Sequence, residues 1–133
     1  MPEYVVEKTK EMLNETDTNK VTVFGLTYKG DVDDIRESPA FDIYELLRKE
    51  PNVDVVAYDP HVKLDWVEQD VHKAVEDSSL VLILSDHSQF KTLTDEDFKT
   101  MKNKIIFDTK NIVQNELTDT KYYTFGNVQK FTK

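Results

Sequence analysis

The chain has 133 residues, 38% apolar and 32% charged, with a net charge of -9 and no cysteine. That length supports one domain with a real hydrophobic core, and the acidic balance excludes a nucleic-acid binder, which needs a basic face for phosphates. Without cysteine there is no disulfide, no cysteine-based zinc site and no thiol nucleophile, and no stretch approaches the roughly 18 consecutive apolar residues of a membrane span.

The first segment, residues 4–13, reads as a helix with Pro2 in its first turn and Val5, Val6, Met12 and Leu13 on a patchy apolar side. It is charged and lacks the apolar core of a secretory signal, so a cytoplasmic setting is expected. Residues 14–20 are polar and read as a linker. Residues 21–25 (VTVFG) form a short β-branched run ending in glycine, the first expected strand. A long charged loop, 26–37, follows. Ser38-Pro39 then opens a helix, with serine as the N-cap and proline where no N–H is needed. Ala40, Ile43, Tyr44 and Leu47 give it one buried stripe, and Pro51-Asn52 ends it.

Residues 53–58 (VDVVAY) form the second expected strand, closed by Asp59-Pro60. Val71, Ala74 and Val75 mark a short helix. Residues 80–84 (LVLIL) are a continuous apolar run, as in a strand buried on both faces. Thr94 is expected to start a further helix, with Asp97 in a capping-box position and Leu93 and Phe98 placed as a hydrophobic staple. Residues 104–107 (KIIF) are the next strand, ending at Asp108, and residues 122–125 are a candidate last one. Strands alternating with helices predict an α/β fold with a doubly wound parallel sheet, three-layer α/β/α and Rossmann-like, preceded by an N-terminal helix.

Ligands of such sheets bind outside the carboxyl ends of the strands, near the switch in strand order. Four loops therefore matter: 26–37, 59–61, 85–87 and 108–111. The first carries Gly25 and Gly30 spaced as at the start of a phosphate-binding loop. Asp31-Val32 stands where lysine and serine or threonine belong, and the G-x-G-x-x-G fingerprint is missing too. Asp59 occupies the place of a ribose-binding acid, yet without the glycine half it reads better as a turn residue. His61, His72 and His87 show no metal-ligand spacing, so no metal is expected. Asp86 and His87 read as a loop-capping pair, and Trp66, Tyr122 and Tyr123 as packing.

The blocks GLTYKGDVDDIRESPAFDIYELL, VAYDPHV, LVLILSDHSQF and IIFDTKNIV, in this order and spacing over residues 21–115, resemble the C-terminal domain of the UDP-glucose/GDP-mannose dehydrogenase family. DDIRESPA and FDTKN are most similar to the branch that oxidises UDP-N-acetyl-D-mannosamine in capsule and surface-polysaccharide synthesis. The resemblance implies an NAD-dependent oxidation of the sugar C6 alcohol to a carboxylate, through a catalytic cysteine this chain does not contain. It also implies that residues 1–20 end a central helix and linker, and that 21–133 is the UDP-sugar-binding domain. No catalytic residue is then expected in this chain, which alone should be inactive.

By the same resemblance Tyr28 and Lys29 contact the substrate, Lys110 reaches the UDP part where many relatives carry arginine, and Arg36 reaches NAD. For each there is a plainer reading: a packed Tyr28, solvated lysines, and an Arg36 salt bridge to Asp33 or Asp34. Asp108 and Asn111 are expected to fix their loop. The expected partners are the UDP-sugar, the remainder of the dehydrogenase chain and a second copy in a homodimer. A module for nucleotide binding or oligomerisation without catalysis is the competing reading.

Overall fold

The computed structural model describes residues 2–16 and 18–125; the last stretch of the expected domain, 126–133, lies outside them. Helix α1 (Pro2–Leu13) leads into strand β1 (Lys20–Phe24), then α2 (Pro39–Arg48), β2 (Asp54–Tyr58), β3 (Val67–Glu68), α3 (Val71–Val75), β4 (Leu80–Ile83), β5 (Ile105–Asp108) and β6 (Lys121–Tyr123). The six strands make one parallel sheet in the order β3-β2-β1-β4-β5-β6. The chain winds outward from β1 to one side and then from β4 to the other. The direction of winding switches between β1 and β4, and sheets of this kind bind ligands outside the carboxyl ends of the strands at that switch.

The period of two along each strand separates two cores. Val21, Val23, Leu80, Leu82, Ile105 and Phe107 face α1 and α2, packing with Val5, Met12, Ile43 and Leu47. Phe24, Val81, Ile83 and Ile106 face the other way, against Val75, Phe90, Leu93, Phe98 and Met101. Leu47 is fully buried, and burying such a side chain contributes about 1.5–3 kcal/mol. The first helix is part of this core: Val5, Val6, Met12 and Leu13 are all buried in it. Helix α2 forms as its residues dictate, with the Ser38 hydroxyl accepting from the Phe41 N–H, proline at its start and the Ala40–Ile43–Tyr44–Leu47 stripe buried.

The helix expected from Thr94 is instead a single 3₁₀ turn, Asp95–Phe98, and a second one, Ser88–Thr92, precedes it. The carboxylate of Asp97 still accepts from the Thr94 N–H at 2.9 Å, and Leu93 and Phe98 are buried in one cluster. The reason for the shortening is spacing: Phe90, Leu93 and Phe98 must all reach the same sheet face, which two tight turns allow. β3 pairs only two residues with β2, Ala57 with Val67 and Tyr58 with Glu68, too few for an alternation to announce it.

Candidate functional site

Loops 26–37, 85–87 and 109–111 all leave the carboxyl edge, after β1, β4 and β5. The loop after β1 is pressed onto the loop after β4. Gly25 has φ +97°, and a Cβ there would overlap the Ser85 side chain. A Cβ at Gly30 would overlap the carbonyl of Asp86. Both glycines are thus required for a close backbone approach. Ser85 Oγ donates to the Thr27 carbonyl at 2.8 Å, and the Thr27 N–H points back at Ser85 Oγ at 3.1 Å.

Asp59 is fully buried at the end of β2. It accepts from the backbone N–H of Leu26 at 2.8 Å, from the N–H of His61 at 2.8 Å and from His87 Nε2 at 3.0 Å. It is therefore a structural clasp, as its turn position predicted. Burial pushes its carboxyl up, but the donors from His87, His61 and Leu26 outweigh burial and hold it below the usual carboxylate range.

His87 is also fully buried. Its Nδ1 accepts from the Asp31 N–H at 2.8 Å. A backbone N–H can only donate, so Nδ1 carries the lone pair and Nε2 carries the hydrogen given to Asp59. The expected capping partner, Asp86, is exposed; the true partner is Asp59, 28 residues away. Asp31 closes the arrangement: its carboxylate accepts from the Ser88 N–H at 2.8 Å and the Ser88 hydroxyl at 2.6 Å, which holds its carboxyl below the usual range.

The histidines, far apart in sequence, are not all far apart in space. The rings of His61 and His87 lie 4.6 Å apart, and His61 Nε2 is 3.7 Å from Asp31 Oδ1. Asp31, His61 and His87 converge closely enough to consider a metal. His87 would have to surrender one of its two buried hydrogen bonds to serve, and His61 Nε2 is already 3.1 Å from Gln89 Oε1. The cluster is explained as a hydrogen-bonded clasp.

The clasp leaves Tyr28 and Lys29 projecting. Tyr28 is 62% exposed, so its ring does not pack under the loop, and Lys29 is exposed beside it. Lys110 is exposed on the turn after β5, two strands away along the same edge. It borders a small cavity of about 150 Å³ with Val5, Pro39, Ile43, Leu84 and Thr109. Its turn is wrapped around the buried Asp108 carboxylate, which accepts from the N–H groups of Lys110, Ile112 and Val113 at 3.0, 2.8 and 3.0 Å. Asn111 contributes a left-handed backbone, φ 53°, which asparagine tolerates well.

Arg36 grips Asp34 with both Nε, at 3.0 Å, and Nη2, at 2.9 Å. The Arg36 guanidinium holds the Asp34 carboxyl down at about 2. The pair is open to water, so Arg36 could exchange its partner for a ligand phosphate. A larger cleft, about 670 Å³, lies at the opposite edge between Lys10, Asn14, Asn19 and Asn52. The switch in strand order and the clasped loops favour the carboxyl edge as the site.

Parallel strands in this order, with clasped loops at the switch point, define the doubly wound α/β class whose carboxyl edge holds a ligand. The family model of the UDP-glucose/GDP-mannose dehydrogenase UDP binding domain matches residues 22–115, and the chain belongs to that family. The structure is similar to the UDP-N-acetyl-mannosamine dehydrogenase of Staphylococcus aureus, at 63% identity and a TM-score of 0.97, over 99% of this chain and 32% of that one. It is similar also to the Pyrococcus horikoshii UDP-D-ManNAc dehydrogenase, at 31% identity and a TM-score of 0.82, over 96% of this chain and 31% of that one. A Methanocaldococcus jannaschii UDP-N-acetyl-D-mannosamine dehydrogenase is 40% identical across 96% of this chain and 31% of its own length. The chain thus spans about a third of the relatives it matches. Among the described residues no helix is long and apolar enough to cross a membrane.

Proposed function

We propose that this chain supplies the UDP-binding part of an NAD-dependent nucleotide-sugar 6-dehydrogenase acting on UDP-N-acetyl-D-mannosamine. The observation that carries the reading is the pair of exposed lysines presented at one sheet edge, Lys29 with Tyr28 after β1 and Lys110 after β5, each on a loop mounted on a buried carboxylate clasp. Helices α1 and α2 both direct their N-termini toward this edge, adding partial positive charge where a diphosphate would lie.

In this reading Lys29 and Lys110 bind the diphosphate as point charges, and Tyr28 covers it. Arg36 turns from Asp34 toward the NAD pyrophosphate, for which its planar fork is suited. The overall reaction oxidises the C6 alcohol to a carboxylate with water as the oxygen source, and two NAD take up the two hydrides. A cysteine thiol would hold the aldehyde-level carbon between these steps; it must come from the remainder of the enzyme, as must most of the NAD site. That remainder, and a second copy in a homodimer, are the proposed protein partners, in the cytoplasm. The substrate choice draws support from the similar S. aureus, P. horikoshii and M. jannaschii proteins, each described as a dehydrogenase of this sugar nucleotide.

Thermal unfolding with added nucleotide tests the proposal. A ligand at one hundred times its Kd stabilises by about 2.7 kcal/mol. UDP should raise the melting temperature of this chain, and NAD alone should not. Absence of any UDP response would favour an assembly module instead.

A further inference from the structure

We propose that His87 is the positioning residue of the nucleotide site, holding the Tyr28–Lys29 tip over the sheet edge through its Nδ1. The inference rests on the reading that Lys29 touches the UDP-sugar. Its basis is a continuous bracket: Leu26 N–H donates to Asp59 Oδ2 at 2.8 Å, His87 Nε2–H donates to the same oxygen at 3.0 Å, and Asp31 N–H donates to His87 Nδ1 at 2.8 Å. Leu26 and Asp31 are the two ends of the segment that presents Lys29. One buried carboxylate and one buried imidazole therefore fix its span.

The groups facing His87 are few. Asp59 lies at Nε2, Asp31 at Nδ1, the His61 ring 4.6 Å away, the Phe90 ring 5.3 Å away edge-on, and Thr27 Oγ1 at 3.5 Å from Nε2. An apolar residue would fill this space but strand the Asp31 N–H and leave the buried Asp59 carboxylate one donor short. Histidine suits the place because one ring offers an acceptor and a donor about 2 Å apart at fixed angles. Ser85 and Ser88 brace the same segment from either side, at Thr27 and Asp31.

The two nitrogens can be separated by substitution. His87→Asn keeps an oxygen near Nδ1 and loses the donor to Asp59. His87→Gln reaches Asp59 with its amide and loses the acceptor for Asp31. UDP affinity of the 133-residue chain is measured for both by calorimetry, with Lys29→Gln beside them. The expected result is a loss of about tenfold or more in His87→Gln, the size of one lost hydrogen bond to a positioned loop, against threefold or less in His87→Asn. Equal affinities in the two folded variants would overturn the positioning role while leaving the site reading intact. An unchanged affinity in Lys29→Gln, or no UDP binding by the parent chain, would overturn both. Hydrogen exchange on the parent chain gives a check that needs no variant. The Asp31 amide should be protected like the sheet, and exchange at the rate of an open loop would refute the bracket.

Discussion

The Tyr122 hydroxyl donates to Asp108 Oδ2 at 2.7 Å, so strand β6 is tied to the same buried carboxylate that folds the Lys110 turn. Burial pushes the Tyr122 phenol well above its usual range, and the Asp108 carboxylate beside it pushes in the same direction. A raised folded-state value means that the neutral phenol contributes stability fully below the unfolded value of about 10, and that this is lost as pH rises toward the folded one. Tyr122→Phe should therefore cost about 1 kcal/mol at neutral pH and remove part of the loss seen above pH 10. Urea unfolding at several alkaline pH values reads both effects. An unchanged alkaline limb in the variant would contradict the assignment.

Asp59 works at the other end of the pH scale. Its carboxyl is held low by three donors despite burial, so the charged form contributes stability above the usual carboxylate range, and that contribution is lost as pH falls through the lowered folded value. Asp59→Asn presents an N–H where a carboxylate oxygen accepted two bonds. It should cost about 2–4 kcal/mol at pH 7 and less at pH 3, below the usual carboxylate range. Equilibrium unfolding at the two pH values tests this; an equal cost at both would be the wrong sign of dependence.

Gly25 combines a positive φ with contact against Ser85. Gly25→Ala should destabilise by about 2–4 kcal/mol, from left-handed strain together with steric displacement of Ser85. A companion Ser85→Gly change would relieve the side-chain overlap but not the φ cost or the contact with the backbone N of residue 85, and it would remove the Ser85–Thr27 bonds, so it should recover little of the loss. If alanine at 25 is tolerated with no fall in melting temperature, the close approach of the two loops is wrong.

The Asp34–Arg36 pair is solvent-exposed, so its influence lies in titration more than in stability. Carbon-detected NMR should place the Asp34 carboxyl midpoint near 2. Arg36→Ala removes the guanidinium but keeps the backbone N–H donated to Asp34, so it should raise the midpoint part of the way back to the ordinary carboxylate range and leave urea unfolding essentially unchanged. A midpoint in the parent chain already in the ordinary range would show that Arg36 is free of Asp34.

Sequence patterns anticipated what local chemistry determines. The LVLIL run, the Ser38-Pro39 start and the α2 stripe became β4 and α2 with shifts of a residue or so at their ends. Three features stayed hidden because they depend on distant partners. His87 carries a neighbouring acid, Asp86, which is the partner a linear reading selects. The bond instead goes to Asp59, because β1 lies between β2 and β4 and brings their two loops together over Leu26. The first helix, preceded in the reading by no strand to lie on, proved to cover the sheet beside α2. The two 3₁₀ turns carry apolar residues at spacings a helix also satisfies, and only the sheet face beneath them decides between the two. Of the site residues, the exposure of Tyr28, Lys29 and Lys110 follows from glycines and buried acids whose roles appear only once the loops meet.

The central claim is that a nucleotide diphosphate sits on the carboxyl edge between the β1 and β5 loops. Chemical-shift mapping of the isotope-labelled chain during UDP titration addresses it most directly. The account predicts saturable shifts at Tyr28, Lys29, Gly30, Lys110 and Asn111, lost when Lys29 and Lys110 are changed together to glutamine. Shifts gathered instead around Asn14, Asn19 and Asn52 at the opposite edge, or none at millimolar UDP, would contradict it.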